Sequence, residues 1–279
     1  MKMITNELVN SFKLYLYEEE KSDNTIEKYI RDIRFFKEWL CDRKLEKSVV
    51  LEYKKYLCEN YAPASVNSML SSINALFLFM DWHDLKVKTL KIQRRLFASK
   101  EKELTKPEYE RLLTAAKNKN DERLYYLMQT IGSTGVRISE LKYITCESVK
   151  TGQEVINCKG KIRQVFLPKK LCEMLKSYIK KKNIKSGSIF ITKSGKPLDR
   201  SCVWKMLKAL CKAANVAKEK VYPHNFRHLF ARVFYSIQKD IVRLADILGH
   251  SSIETTRIYT IESGTEHIKQ LQKLGLLRC

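Results

Sequence analysis

Glycine is missing from this 279-residue chain until Gly132, and only Pro63 and Pro107 interrupt that stretch. Without the residues that turn or break a backbone, the first third is expected to be packed helices. Long apolar runs are missing too. The longest, ALFLFM, is far below the roughly 18 residues a membrane span needs. The opening MKMITNELVNSF has no apolar export segment and no small-residue cleavage site, so a cytoplasmic protein without membrane attachment is expected. No two of the eight cysteines have C-x-x-C spacing, which argues against a zinc or redox framework and leaves reduced thiols. Hydrophobic residues still make up 44% of the chain, enough to build real cores.

Acidic residues are also in short supply: 31 Asp and Glu stand against 53 Lys and Arg, a formal charge of +22. The excess is uneven. Residues 1–100 carry 18 basic and 14 acidic groups, a net +4, while residues 101–279 carry 35 and 17, a net +18. A long polyanion suits such a surface, because every phosphate neutralised releases a condensed counterion. Nucleic acid is therefore the expected partner.

In the first third, SDNTIEKYIRDIRFFKEWL places Ile26, Tyr29, Ile30, Ile33 and Leu40 on one helical stripe, with Asn24 as a candidate cap and Glu27 returning its bond. Pro63 opens a second helix whose Ser/Asn face could touch phosphates or simply be solvated. Residues 91–103 are charged and aperiodic, and Thr105 with Glu108 then forms a capping-box signature around Pro107. These signals give a helical domain at 1–97, a linker at 98–103 and a second domain at 104–279. The second domain reads as mixed. ERLYYLMQTIG is a helix expected to break at GSTG, with a new helix starting near Arg137. EVINC and IRQVFLP are β-rich runs joined by KGK, and SIFIT suggests a third strand. From residue 200 onward the pattern is helical.

Several residues carry possible chemistry. Arg137 opens a helix, where a cation opposes the helix dipole unless an anion binds there as well. His224 and Arg227 share a helix face, and such a pair suits a phosphate: the guanidinium gives parallel hydrogen bonds and the imidazole can hold or pass a proton. His228 lies four residues beyond His224, but an intervening arginine and no third ligand argue against a metal pair. Lys159, Lys161 and Arg163 sit at or beside the hairpin turn, an ordinary solvated place from which a lysine can nonetheless reach a phosphodiester. His250 follows Gly249, and Tyr259 is one of 14 tyrosines. None of these is distinctive alone.

Their order is. TGVRISEL, a hairpin lysine, HNFRH and LGHSSIETTRIYT succeed one another as the catalytic boxes do in the tyrosine recombinases, also called the phage integrase family, and the chain resembles its compact Xer-like members over nearly its whole length. The resemblance implies a mainly α fold with a small antiparallel β-sheet: an N-terminal helical, SAM-like core-binding domain followed by an α+β catalytic domain. It implies that the chain is a site-specific recombinase cleaving and rejoining DNA through a 3′-phosphotyrosyl intermediate, without ATP, metal or other cofactor. Tyr259 would be the nucleophile, Arg137 and Arg227 the clamp on the phosphate, and Lys159 the acid that protonates the leaving 5′-oxygen. His224 would assist or align Tyr259, His250 would bond a phosphate oxygen, and Glu140 would support Arg137.

The hairpin departs from the family's usual Gly-Lys-Gly turn by apparent shortening, which leaves Lys161 as the alternative to Lys159. The tail GTEHIKQLQKLGLL, with Ile268, Leu271 and Leu274 at helical spacing, resembles the helix by which family members join protomers. A homotetramer on double-stranded DNA, or a heterotetramer with a second recombinase, is expected on that ground. Two other readings stay open at this level. DIVRLADILGHSSIETTRIYT could be the helix-turn-helix of a non-catalytic regulator, although that leaves Arg137, Arg227 and His224 without a task. A type IB topoisomerase would share the chemistry.

Overall fold

The computed structural model describes residues 2–41, 43–92, 102–158, 161–250 and 252–259, without the side chains of Cys158 and Lys161. Its chain divides into two compact units, Met1–Arg94 and Arg95–Cys279. The expected linker falls mostly outside the described residues; Lys159 and the C-terminal tail fall wholly outside them.

The first unit holds four helices: α1 (Asn6–Glu18), α2 (Asp23–Leu40), α3 (Lys47–Asn60) and α4 (Pro63–Phe79). Ile33 and Phe36 of α2 and Leu70, Ile73 and Phe77 of α4 are fully buried, with Phe12 and Tyr53 closing the core from α1 and α3. The α2 helix starts two residues earlier than the Asn24 cap would have it. Ser22 is its N-cap, and Asn24 lies inside the first turn. The Ser/Asn face of α4 is divided: Ser65, Ser68 and Ser71 are exposed, while Asn67, Ser72 and Asn74 are engaged. Asn67 and Asn74 clamp the main chain of Leu90 and Val87, each giving one hydrogen bond and taking another at 2.7–3.0 Å. Ser72 donates to the buried Asp32 at 2.9 Å, and Lys28 pairs with the same carboxylate at 2.9 Å. These polar groups are thus spent on the fold of the first unit.

In the second unit, α5 (Lys106–Asn118) begins with the capping box of Thr105 and Glu108. The next helix, α6 (Glu122–Thr134), runs straight through Gly132 and stops at Gly135, whose φ of 64° is the left-handed cap that a side chain would strain. The helix therefore ends within GSTG, as expected, with Gly135 rather than Gly132 as the residue that stops it. After it comes a 3₁₀ turn at Ile138–Tyr143, with Arg137 extended at its N-cap rather than inside an α-helix. The short α7 (Cys146–Thr151) leads to β1 (Gln153–Cys158) and β2 (Lys161–Phe166), which pair antiparallel from Gln153↔Phe166 to Cys158↔Lys161.

The third strand does not form. Around SIFIT the chain makes only isolated bridges, Thr145↔Ser188 and Ile191↔Pro197, because Ile189 and Phe190 are buried against helices rather than along a strand. The remaining helices are α8 (Lys169–Lys182), α9 (Arg200–Ala214), α10 (Pro223–Gln238), α11 (Ile241–Leu248) and the single turn α12 (Ile253–Thr256). Helix α10 packs on α6, burying Phe226 with Leu127, Met128 and Val136. This packing carries the HNFRH segment to the end of α6, where Arg137 emerges. Among the described residues no helix is long and apolar enough to cross a membrane.

Candidate active site

Three carbonyls at the C-terminal end of α11 organise the site. A helix end leaves its last carbonyls without intrahelical partners and carries partial negative charge, so it attracts cations. Here it gathers three arginines from three other elements. Arg227 of α10 donates to Leu248 O at 2.6 Å and also to Gly135 O. Arg137 donates to Gly249 O at 3.1 Å. Arg163 of β2 reaches Ile247 O at 3.2 Å and also Leu248 O. Gly249 makes this approach possible: its φ is 61°, and a Cβ there would meet Arg163 Cδ at 2.5 Å.

Glu140 ties two of these arginines together. It is 3% exposed and takes the Arg137 main-chain N–H at 2.8 Å and the Arg137 Nη1 at 2.9 Å. Its other contact is Arg163 Nη2 at 3.1 Å. The R-x-x-E spacing works because the 3₁₀ turn brings its third residue back over its own cap. Arg227 is 1% exposed, and its Nε makes no protein hydrogen bond within the described residues. Burial first, then Arg137 and Arg163, pushes its pKa down, yet a guanidinium remains a cation at neutral pH. Arg137 keeps 36% of its side chain open to solvent.

Tyr259 closes the other side. It ends a 3₁₀ turn, is 6% exposed, and packs with Ala231, Leu244 and Leu248. Burial raises the pKa of its phenol, while the Arg227 guanidinium, then Arg137 and Arg232, pull it back. His250 Nε2 lies 3.1 Å from Arg227 Nη2, and its Nδ1 lies 2.8 Å from Thr256 Oγ1. Arginine can only donate, so Nε2 accepts and Nδ1 carries the proton donated to Thr256. Burial and then Arg227 hold the His250 pKa near 4, which keeps that ring neutral.

The expected residues are brought together unevenly. Arg137, Arg227, His250 and Tyr259 converge. His224 is on the same helix but exposed, with its pKa lowered by partial burial and then by Arg227. It meets His228 edge-on at 4.3 Å between ring centroids, and it is the His228 ring that meets Tyr259, at 5.0 Å and 72°. Burial, then His224, pushes the His228 pKa to about 3, and its Nε2 is buried without a partner among the described residues. His228 is therefore a neutral wedge between His224 and Tyr259, a place its sequence spacing did not suggest.

Arg163 was marked by sequence only as one of the basic residues beside the hairpin turn, with no role of its own. Its signal was parity: it pairs with Ile156 and shares a strand face with the buried Val165. The other face of β2 carries Ile162 and Phe166, which are 73% and 62% exposed, so a hydrophobicity argument buries the wrong side.

Similarity to known proteins agrees with this geometry. The model of the phage integrase family matches residues 102–265, and that of the phage integrase N-terminal SAM-like domain matches residues 9–83. The chain is 30% identical to tyrosine recombinase XerA of Thermococcus kodakarensis, over 98% of this chain and 96% of that one. It is 28% identical to tyrosine recombinase XerD of Vibrio cholerae, over 91% of both. In fold it resembles a lambda integrase dimer bound to a core site, with a TM-score of 0.76 at 17% identity over 94% of this chain and 96% of that one. XerH bound to its difH substrate before cleavage gives a TM-score of 0.70 at 19% identity, over 96% and 85%. With both of its halves matched and its full length aligned to recombinases, the chain belongs to the phage integrase family of tyrosine recombinases.

Proposed function

We propose that Tyr259 is the nucleophile of this site-specific recombinase and that Arg137 and Arg227 bind the scissile phosphate it attacks. The observation that carries this reading is the placement of the buried Tyr259 beside two guanidiniums held by the end of α11. Tyr259 Oη attacks phosphorus, the bond from phosphorus to the 5′-oxygen breaks, and the 3′-phosphate stays on the tyrosine. The phenol gives up its proton as Oη bonds to phosphorus and the leaving 5′-oxygen takes one, so the step consumes no net proton. Attack by a partner strand's 5′-hydroxyl reverses every bond change, so the phosphodiester energy is kept. Charge builds on the non-bridging oxygens, where fixed guanidiniums stabilise it most.

His250 bonds a phosphate oxygen once DNA displaces Arg227 from its Nε2 and the ring proton sits on Nε2, with Nδ1 then accepting from the Thr256 hydroxyl. His224 aligns the nucleophile through His228. Residues 1–97 form the core-binding domain and residues 104–279 the catalytic domain, joined at 98–103.

The hairpin lysine supplies the proton to the 5′-oxygen, and Lys159 is the assignment. The test uses a duplex selected for binding from a randomised pool, then nicked at successive positions so that the cleaved strand is lost. Wild-type protein yields a denaturant-resistant adduct. Lys159→Ala slows its formation by about 100-fold or more, the scale of a lost general acid, while Lys161→Ala stays within a few fold. The reverse pattern moves the role to Lys161, and no adduct from wild type on DNA it binds overturns the reading.

The enzyme acts as a tetramer on DNA, with the tail after Gly264 joining protomers. Truncation there abolishes tetrameric complexes in sedimentation while single-site binding persists. Unchanged assembly sinks this part.

A further inference from the structure

We infer that Arg163 is a positioning residue whose charge satisfies Glu140 and so leaves the charge of Arg137 available to the scissile phosphate. The inference rests on the clamp reading above. Among the described residues Glu140, 3% exposed, touches two side-chain cations, Arg137 Nη1 at 2.9 Å and Arg163 Nη2 at 3.1 Å. A buried carboxylate paired with Arg137 alone would cancel the charge that has to meet the phosphate, because a neutral ion pair projects little field. With Arg163 present, the trio keeps a net positive charge. Exposure decides which arginine offers it: Arg163 has 8% of its side chain open to solvent and Arg137 has 36%.

Arg163 is built to stay where it is. Its stem crosses Gly249 where no side chain fits, and its Nη1 is held by the carbonyls of Ile247 and Leu248. It shares the Leu248 carbonyl with Arg227. The residue thus braces both clamp arginines without offering its own guanidinium to DNA. Because it stands on the inward face of β2, opposite Ile156, it also fixes that strand against the site.

The test separates charge from shape. On the selected DNA, Arg163→Met should slow adduct formation by about 100-fold, the loss typical of one removed transition-state donor, with DNA affinity within threefold. Adding Glu140→Gln to Arg163→Met removes the uncompensated carboxylate and should recover at least tenfold of that rate. Arg163→Lys should fall less than Arg163→Met. A second substrate carries a methylphosphonate at the mapped cleavage position, so that the scissile group has no charge. On it the Arg163→Met defect should shrink to a few fold, whereas a distorted site slows both substrates alike.

A double variant no faster than Arg163→Met, or an equal defect on both substrates, overturns the charge role. Arg137→Ala in the same assay guards the underlying reading. If it cleaves like wild type, the clamp itself is wrong; if it is slow while the double variant is not rescued, only the role of Arg163 falls. Should Arg163→Met fail to fold, the double variant and Arg163→Lys decide the matter by the same comparison.

Discussion

Tyr259→Phe abolishes the covalent protein–DNA adduct while the variant binds the selected duplex as wild type does. Only the phenolic oxygen is removed. The ring keeps its contacts with His228 and His250 and its place beside Ala231, Leu244 and Leu248, so packing is preserved and stability changes by about 1 kcal/mol or less. Without that oxygen cleavage falls by about 10⁴-fold or more. Denaturing electrophoresis of the trapped complex reads this directly, and an adduct formed by the Phe variant would remove Tyr259 from the mechanism. The same assay tests which chain supplies the tyrosine. Tyr259 lies against the arginines of its own chain, so cleavage in cis is expected. Mixing Tyr259→Phe with an Arg227 variant then yields no adduct, whereas restored cleavage would mean that protomers donate the tyrosine to one another.

Why Tyr259 was legible and Arg163 was not is a matter of physics as much as pattern. The boxes around Arg137, Arg227, His250 and Tyr259 are ordered along the chain, and each stands beside a feature that fixes its direction: the left-handed caps Gly135 and Gly249, and Pro223 at the start of α10. Helical periodicity and the Thr105–Glu108 capping box similarly exposed the helices, since those signals are local. What failed was set by tertiary contact. Gly132 and Gly135 look alike as turn residues, but α6, packed on α10, runs through the first and is capped by the second. SIFIT has the composition of a strand, but its Ile189 and Phe190 are claimed by the helical core. Asn67 and Asn74 resemble a surface for phosphate until the returning main chain at 87–90 takes their hydrogen bonds. Arg163 looks like any basic residue beside a hairpin tip, and only its pairing register shows that it points inward. His228 is a similar case. Its i+4 relation to His224 suggests a shared ligand, yet the helix uses that spacing to set one imidazole edge-on to the other and press the second against Tyr259.

Arg227→Lys should lower the rate of adduct formation by about 10³–10⁵-fold, the range spanned by removing a transition-state arginine in phosphoryl transfer. Lysine keeps the charge but not the fork. Arg227 uses Nη1 on Gly135 O and Nη2 on both Leu248 O and His250 Nε2, and a single ammonium cannot span these three acceptors. Losing them frees the end of α11 from the end of α6, so Arg137 loses the fixed carbonyl of Gly249 that orients it. The stability cost is modest by comparison. Leu248 O keeps Arg163 as a donor, so the carbonyl left short is that of Gly135, at a cost of about 1–3 kcal/mol, and α11 would fray at its last turn before the helical core gave way. Measuring Tm, DNA affinity and adduct formation on one preparation therefore separates the effects: a Tm lowered by a few degrees, affinity within about tenfold, and chemistry nearly gone. If Arg227→Lys cleaved within tenfold of wild type, the guanidinium would be a strut for α11 alone. The phosphate would then have to be held by Arg137 and the hairpin lysine.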